Sequence, residues 1–179
     1  MKAITESQLF LSKRENLSSS MFVGNVVDVE DPSKLGRVKV EIPLLGDSFQ
    51  TNWARVTTPF CNDDYGMAFL PEVGSEVIIV FLGKFYSDPV VMGSLWSGNQ
   101  KPVDMSSDHS IKQIKTKSGF NITIDESDGK EEFIVTNKDE NTFVQLDFKT
   151  GNISFKAKKD VKIEAGGNVV IKGTKIQLN

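Results

Sequence analysis

Two short clusters hold side chains that could do chemistry. Asp63 and Asp64 are adjacent carboxylates in an Asn-Asp-Asp-Tyr stretch. Hydrolysis by paired carboxyls needs them roughly 5–9 Å apart across a cleft. Neighbours on a polar loop face water instead. Asp108, His109 and Ser110 have the residue types of a nucleophile, a base and an orienting acid. A triad is assembled by geometry on a scaffold, and these three are consecutive in a polar linker. The chain has one histidine and one cysteine, Cys61, so it can build neither a disulfide framework nor the usual His/Cys zinc sets. Cys61 reads as a small apolar residue. No Gly-rich phosphate loop follows a strand and opens a helix. The expectation is no catalytic residue, no metal and no cofactor.

The 179 residues carry a net charge of −3, which gives no global basic field. Residues 1–100 hold eight Lys and Arg against twelve Asp and Glu, a net of −4. That argues against nucleic-acid binding. Residues 149–179 reverse the sign, with seven lysines against Asp160 and Glu164, a net of +5. The longest apolar run is the six residues Val77, Ile78, Ile79, Val80, Phe81 and Leu82. A helical span needs about 20. No long apolar core follows Lys2, so no signal peptide is expected.

The elements that would position any site are strands. Residues 21–98 alternate apolar and polar between turn signals such as Asp31-Pro32, Leu35-Gly36, Val73-Gly74 and Asp88-Pro89. About five short strands in some eighty residues suit a small closed barrel such as the OB-fold. Residues 99–110 form a polar linker. Further strands are expected near 114–116, 122–125, 133–136 and 144–148. Then a unit of eight repeats: Ile153, Phe155, Ala157; Val161, Ile163, Ala165; Val169, Ile171, Gly173. Strands with one apolar face and so short a period cannot bury that face alone. Copies of the same chain are the natural partner. The expected shared core is Ile153, Phe155, Ala157, Val161, Ile163, Ala165, Val169 and Ile171. Residues 1–20 are polar, with Leu9-Phe10-Leu11 as their one apolar cluster. They read as a frayed terminus or as an arm that orders on a partner.

Four blocks carry a resemblance. They are Asp31-Pro32-x-x-Leu35-Gly36-Arg37-Val38-Lys39-Val40, then Trp53-Ala54-Arg55-Val56, then the run from Gly66 to Val77, and last Asp88-Pro89-Val90-Val91-Met92-Gly93-Ser94-Leu95. In this order they resemble the OB domain of phage baseplate assembly protein V and of VgrG, central spikes of contractile injection systems. The resemblance implies an all-β homotrimer, with an OB barrel at 21–98 and an intertwined triple-stranded β-helix at 111–179. It implies a structural role: the barrel docks on a baseplate hub protein, and the β-helix is driven through the target envelope with transient membrane contact. It also implies synthesis in the bacterial cytoplasm and incorporation into a virion or an extracellular contractile particle. The chain departs from the family pattern in three ways. About twenty residues precede the barrel where VgrG has a hub domain. The linker has no room for the lysozyme domain of some phage spikes. No His-x-His pair is present to hold iron at the apex. The apolar alternation at Ile176, Gln177, Leu178 and Asn179 is therefore expected to seat a separate PAAR-like tip protein. The alternatives are an OB-fold nucleic-acid-binding protein and a tail protein that binds or degrades surface polysaccharide.

Overall fold

The computed structural model describes residues 21–46, 48–83, 85–103 and 107–177. The expected arm at 1–20 lies outside the described residues, as do Leu178 and Asn179. The chain divides into two units, one up to Lys101 and one from Pro102.

In the first unit β1 (Met21–Asp28) alternates strictly and buries Phe22, Gly24 and Val26. Gly24 is required by a close crossing. A Cβ there would lie 2.5 Å from the Glu41 carbonyl oxygen and 2.6 Å from Val40 Cγ1. The other strands are β2 (Lys39–Glu41), β3 (Arg55–Val56), the short pair β4 (Cys61–Asn62) and β5 (Tyr65–Gly66), β6 (Glu76–Phe81) and β7 (Pro89–Ser94). The main sheet runs β2-β1-β6-β7-β3, antiparallel except for β3 beside β7. Single bridges join Val38 to Ala54 and Glu41 to Gln50. They tie β2 to the chain entering β3, so the two ends of the sheet meet and the sheet closes. Five strands closed this way make the expected OB-type barrel. Its core is Phe22, Val26, Val38, Val40, Ile42, Ala54, Val77, Ile79, Phe81 and Val91.

The turn before β2 is organised by Asp31. Its carboxylate accepts hydrogen bonds from the backbone N–H of Ser33 and Leu35 at 3.0 and 2.9 Å. It also takes both arms of the Arg37 guanidinium, at 3.0 and 2.7 Å. Arg37 and these amides hold the Asp31 carboxyl well below the usual carboxylate range, against the opposing effect of burial. Gly36 lies at φ +69°, and its missing Cβ leaves room for Leu70.

The second unit is a five-stranded antiparallel meander within one chain. It contains β8 (Ile111–Lys115), β9 (Asn121–Ser127), β10 (Lys130–Thr136), β11 (Phe143–Asp147) and β12 (Asn152–Lys156), each paired with the next. Local turns close it. Asp128-Gly129 is a two-residue hairpin turn with Gly129 at φ +84°. The Asn137 side-chain oxygen accepts from the N–H of Asn141 and Thr142, and that of Asp147 accepts from Thr150. The eight-residue period pointed to pairing between copies and did not anticipate this local closure. No strand follows Lys156 among the described residues.

Candidate assembly surface

All buried apolar residues among those described lie between Phe22 and Val91. Among its described residues the second unit therefore has no buried apolar core of its own. Its buried residues are Asp125 and Thr136, both polar. The Asp125 carboxyl is pulled down, chiefly by hydrogen bonds from Ser127 with help from Lys130. The Asp147 carboxyl is pulled down by the Thr150 turn.

Strand register shows where the apolar residues went. Residues directly opposite in an antiparallel pair point to the same face. One row across the sheet is therefore Lys112, Ile124, Phe133, Leu146 and Ile153. The next row on that face is Ile114, Ile122, Val135, Val144 and Phe155. Nine of these ten side chains are apolar, and none is buried. The opposite face is mostly polar, as in the row Gln113, Thr123, Ile134, Gln145 and Ser154. An open apolar face this large marks an interaction surface.

Two expected core residues, Ile153 and Phe155, end these two rows, and Phe155 is 70% exposed. The others lie beyond the last strand. Ala157 is half-buried; Val161, Ile163, Ala165, Val169 and Ile171 are exposed, Ile163 at 70%. Among the described residues, no backbone–backbone hydrogen bond engages 157–177. Lys158 N–H reaches only the Thr142 hydroxyl, at 3.4 Å. An extended run without a ladder leaves its N–H and C=O groups to water and its apolar face open. Of the expected tip residues, Ile176 and Gln177 are exposed, and Leu178 and Asn179 fall outside the described residues. Period alone missed the seven face residues on β8 to β11. Their alternation was visible, but which residues line up depends on turn lengths that period does not give.

The chemical candidates are not assembled. Asp63 and Asp64 sit at the exposed tip of the β4–β5 hairpin, where Asp63 N–H bonds to the Asn62 side chain. Asp108 accepts from the Ser110 N–H and hydroxyl at 3.2 and 2.9 Å, and Ser110 also pairs with Ser127 at 2.9 Å. Among the described residues no hydrogen bond joins His109 to either neighbour. Cys61 is exposed on the same hairpin, not in a core. No group of three or more His, Cys, Asp or Glu among the described residues is placed to hold a metal. No helix among them is long and apolar enough to cross a membrane.

The family match falls on the barrel. Residues 22–96 match the family described as the type VI secretion system/phage-baseplate injector OB domain. The Pseudomonas aeruginosa type VI secretion system spike protein VgrG2a is 34% identical over 87 residues, 46% of this chain and 10% of that protein. VgrG5 of the same species is 33% identical over 111 residues, 56% of this chain and 14% of the relative. The actin cross-linking toxin VgrG1 of Vibrio cholerae is 27% identical over 123 residues, 63% of this chain and 11% of that protein. The matched stretch thus spans about a tenth of the relatives' length. The family match at 22–96 coincides with β1 to β7 and with all four motif blocks. The barrel thus coincides with the match to the injector OB-domain family, and the chain is similar over part of its length to VgrG spike proteins.

Proposed function

We propose that this chain is a structural subunit of the central spike of a contractile injection machine, and that it works as a homotrimer. The observation that carries the proposal is an injector OB barrel on the same chain as a sheet with an open apolar face. Three copies would turn that face inward. Five strands at about 4.8 Å spacing make a sheet about 24 Å wide. Three such sheets around a triangle each stand about 7 Å from the axis, while apolar side chains fill about half of the ~10 Å between packed sheets. The largest ring on the middle strand, Phe133, suits the remaining gap. In the same trimer 157–177 would find its missing ladder partners in the other two chains, with Ile153, Phe155, Ala157, Val161, Ile163, Ala165, Val169 and Ile171 toward the axis.

The function is mechanical. The barrel seats on a hub protein, and the β-helix crosses the target envelope under force from the sheath. A closed intertwined shaft pairs its backbone groups between strands, so it can pass through lipid without exposing them. A PAAR-like tip protein would seat on Ile176, Gln177, Leu178 and Asn179. No catalysis is assigned to the chain, and its place is the assembled particle, a virion or an extracellular device. Light scattering on the purified protein should give about 59 kDa, three times 19.8 kDa. A stable monomer at micromolar concentration would overturn the proposal.

A further inference from the structure

The barrel also carries a cleft on its surface. A cleft of about 280 Å³ is lined by Phe49, Gln50, Thr51, Asn52, Phe85 and Tyr86. That is near the lower end for small-ligand pockets. Its two walls come from the segment bridged to β2 and from the β6–β7 loop. In barrels of this type the face of the second and third strands, with the loop between the fourth and fifth, is where oligonucleotides and oligosaccharides bind.

The loop wall is held in an unusual conformation. Phe85, Tyr86 and Asp88 have φ of 56°, 59° and 50°, a region that bulky residues rarely adopt. Such backbone persists only where its surroundings hold it. Here Leu82 N–H bonds to the Asp88 carbonyl at 3.1 Å and Gly83 N–H to the Ser87 carbonyl at 3.2 Å. Tyr86 turns inward, edge-to-face on Phe81 at 5.1 Å and on Phe49 at 5.4 Å. Phe85 is then left pointing out, 79% exposed. On the other wall, alternation puts Gln50 and Asn52 on one side of the strand, both exposed. Their amides make no hydrogen bond within the described residues. The Thr51 hydroxyl is already used, accepting from Val40 N–H.

An exposed aromatic ring and two unbonded amides lining one cleft suit a neutral polyhydroxylated ring. The apolar C–H face of a pyranose packs on the aromatic ring, and its hydroxyls bond with amides that both donate and accept. The net charge of −4 over residues 1–100 disfavours a nucleic acid or a phosphate as the ligand. We propose that the cleft binds one neutral sugar ring of a glycan. The inference does not rest on the spike reading, because the cleft lies wholly within one barrel.

The test is ligand-observed saturation-transfer NMR on the full chain. Probes are N-acetylglucosamine oligomers, for a cell-wall glycan, and gluco- and galacto-oligosaccharides, for a surface polysaccharide. Single-stranded oligonucleotide is the control. Binding of either sugar class, lost at least tenfold in Phe85→Ala and weakened severalfold in Asn52→Ala, is expected. Phe85 lies outside the core, so the variant should melt with the wild type. If it does not, Gln50→Ala with Asn52→Ala carries the same test. Absence of binding across the sugar panel, binding unchanged by the variants, or binding of the oligonucleotide alone would overturn the assignment.

Discussion

Asp31 shows how one residue can give a sequence block its meaning. The run from Asp31 to Arg37 reads in sequence as a turn, from Asp-Pro and Leu-Gly. What sequence could not show is that the same carboxylate caps two amides and grips Arg37, because that depends on how the turn folds back. The pairing has a pH signature. A carboxyl held low in the folded state contributes stability that is fully present above the unfolded value of about 3.9. That contribution is lost as pH falls through the lower folded value. Asp31→Asn should therefore lower the barrel's melting temperature at pH 7, and the gap to wild type should narrow below about pH 4. A gap of equal size at pH 7 and pH 3, followed by circular dichroism, would show that the ion pair is not its source. At the residue scale the aromatic cleft was not legible, because Phe85 lies 33 to 35 positions from Asn52 and Gln50 along the chain and only barrel closure brings them together.

At the scale of elements, alternation identified the barrel strands and the one-sided tail. The barrel was legible because each strand buries its own alternate residues against its neighbours, as β6 does with Val77, Ile79 and Phe81. The meander was only half legible. Its strands were expected, but its two apolar rows depend on a register set by the Asp128-Gly129 and Asn137–Glu140 turns. A slip of one residue would exchange the faces. The last segment tests register directly. If Ile163 faces the axis, Ile163→Asp brings three like charges together in an apolar core. That costs several kcal/mol per ion. Lys162→Asp, one position away and outward, should leave assembly intact. Size-exclusion chromatography with light scattering should show trimer for the second variant and loss of trimer for the first. The reverse result would place the register one residue off.

For the whole molecule, the proposed trimer ties the stability of one unit, and not of the other, to protein concentration. The barrel has its core within one chain, whereas the second unit has none. The two should therefore melt differently as concentration changes. Only association of folded copies makes a melting temperature rise with protein concentration. Scanning calorimetry over a hundredfold range should show one transition that stays fixed, for the barrel, and one that climbs, for the shaft. Two fixed transitions would mean that the second unit is stable alone.

The open run at 157–177 also has a consequence in time. The barrel has its apolar core within one chain, so it can form before any other copy is met. In the proposed trimer the final segment has to wait for two other copies, and its closing rate should rise with concentration while that of the barrel does not. During that wait it is an unpaired, alternating, apolar stretch, the kind of edge that templates uncontrolled zipping. Lys158, Lys159, Lys162, Lys172 and Lys175 fall within it and are exposed. Clustered like charge slows the encounter of naked tails. The same lysines that make the last step slow would keep the waiting chains from fibrillising, and replacing them with glutamine should exchange delayed trimers for fast aggregates.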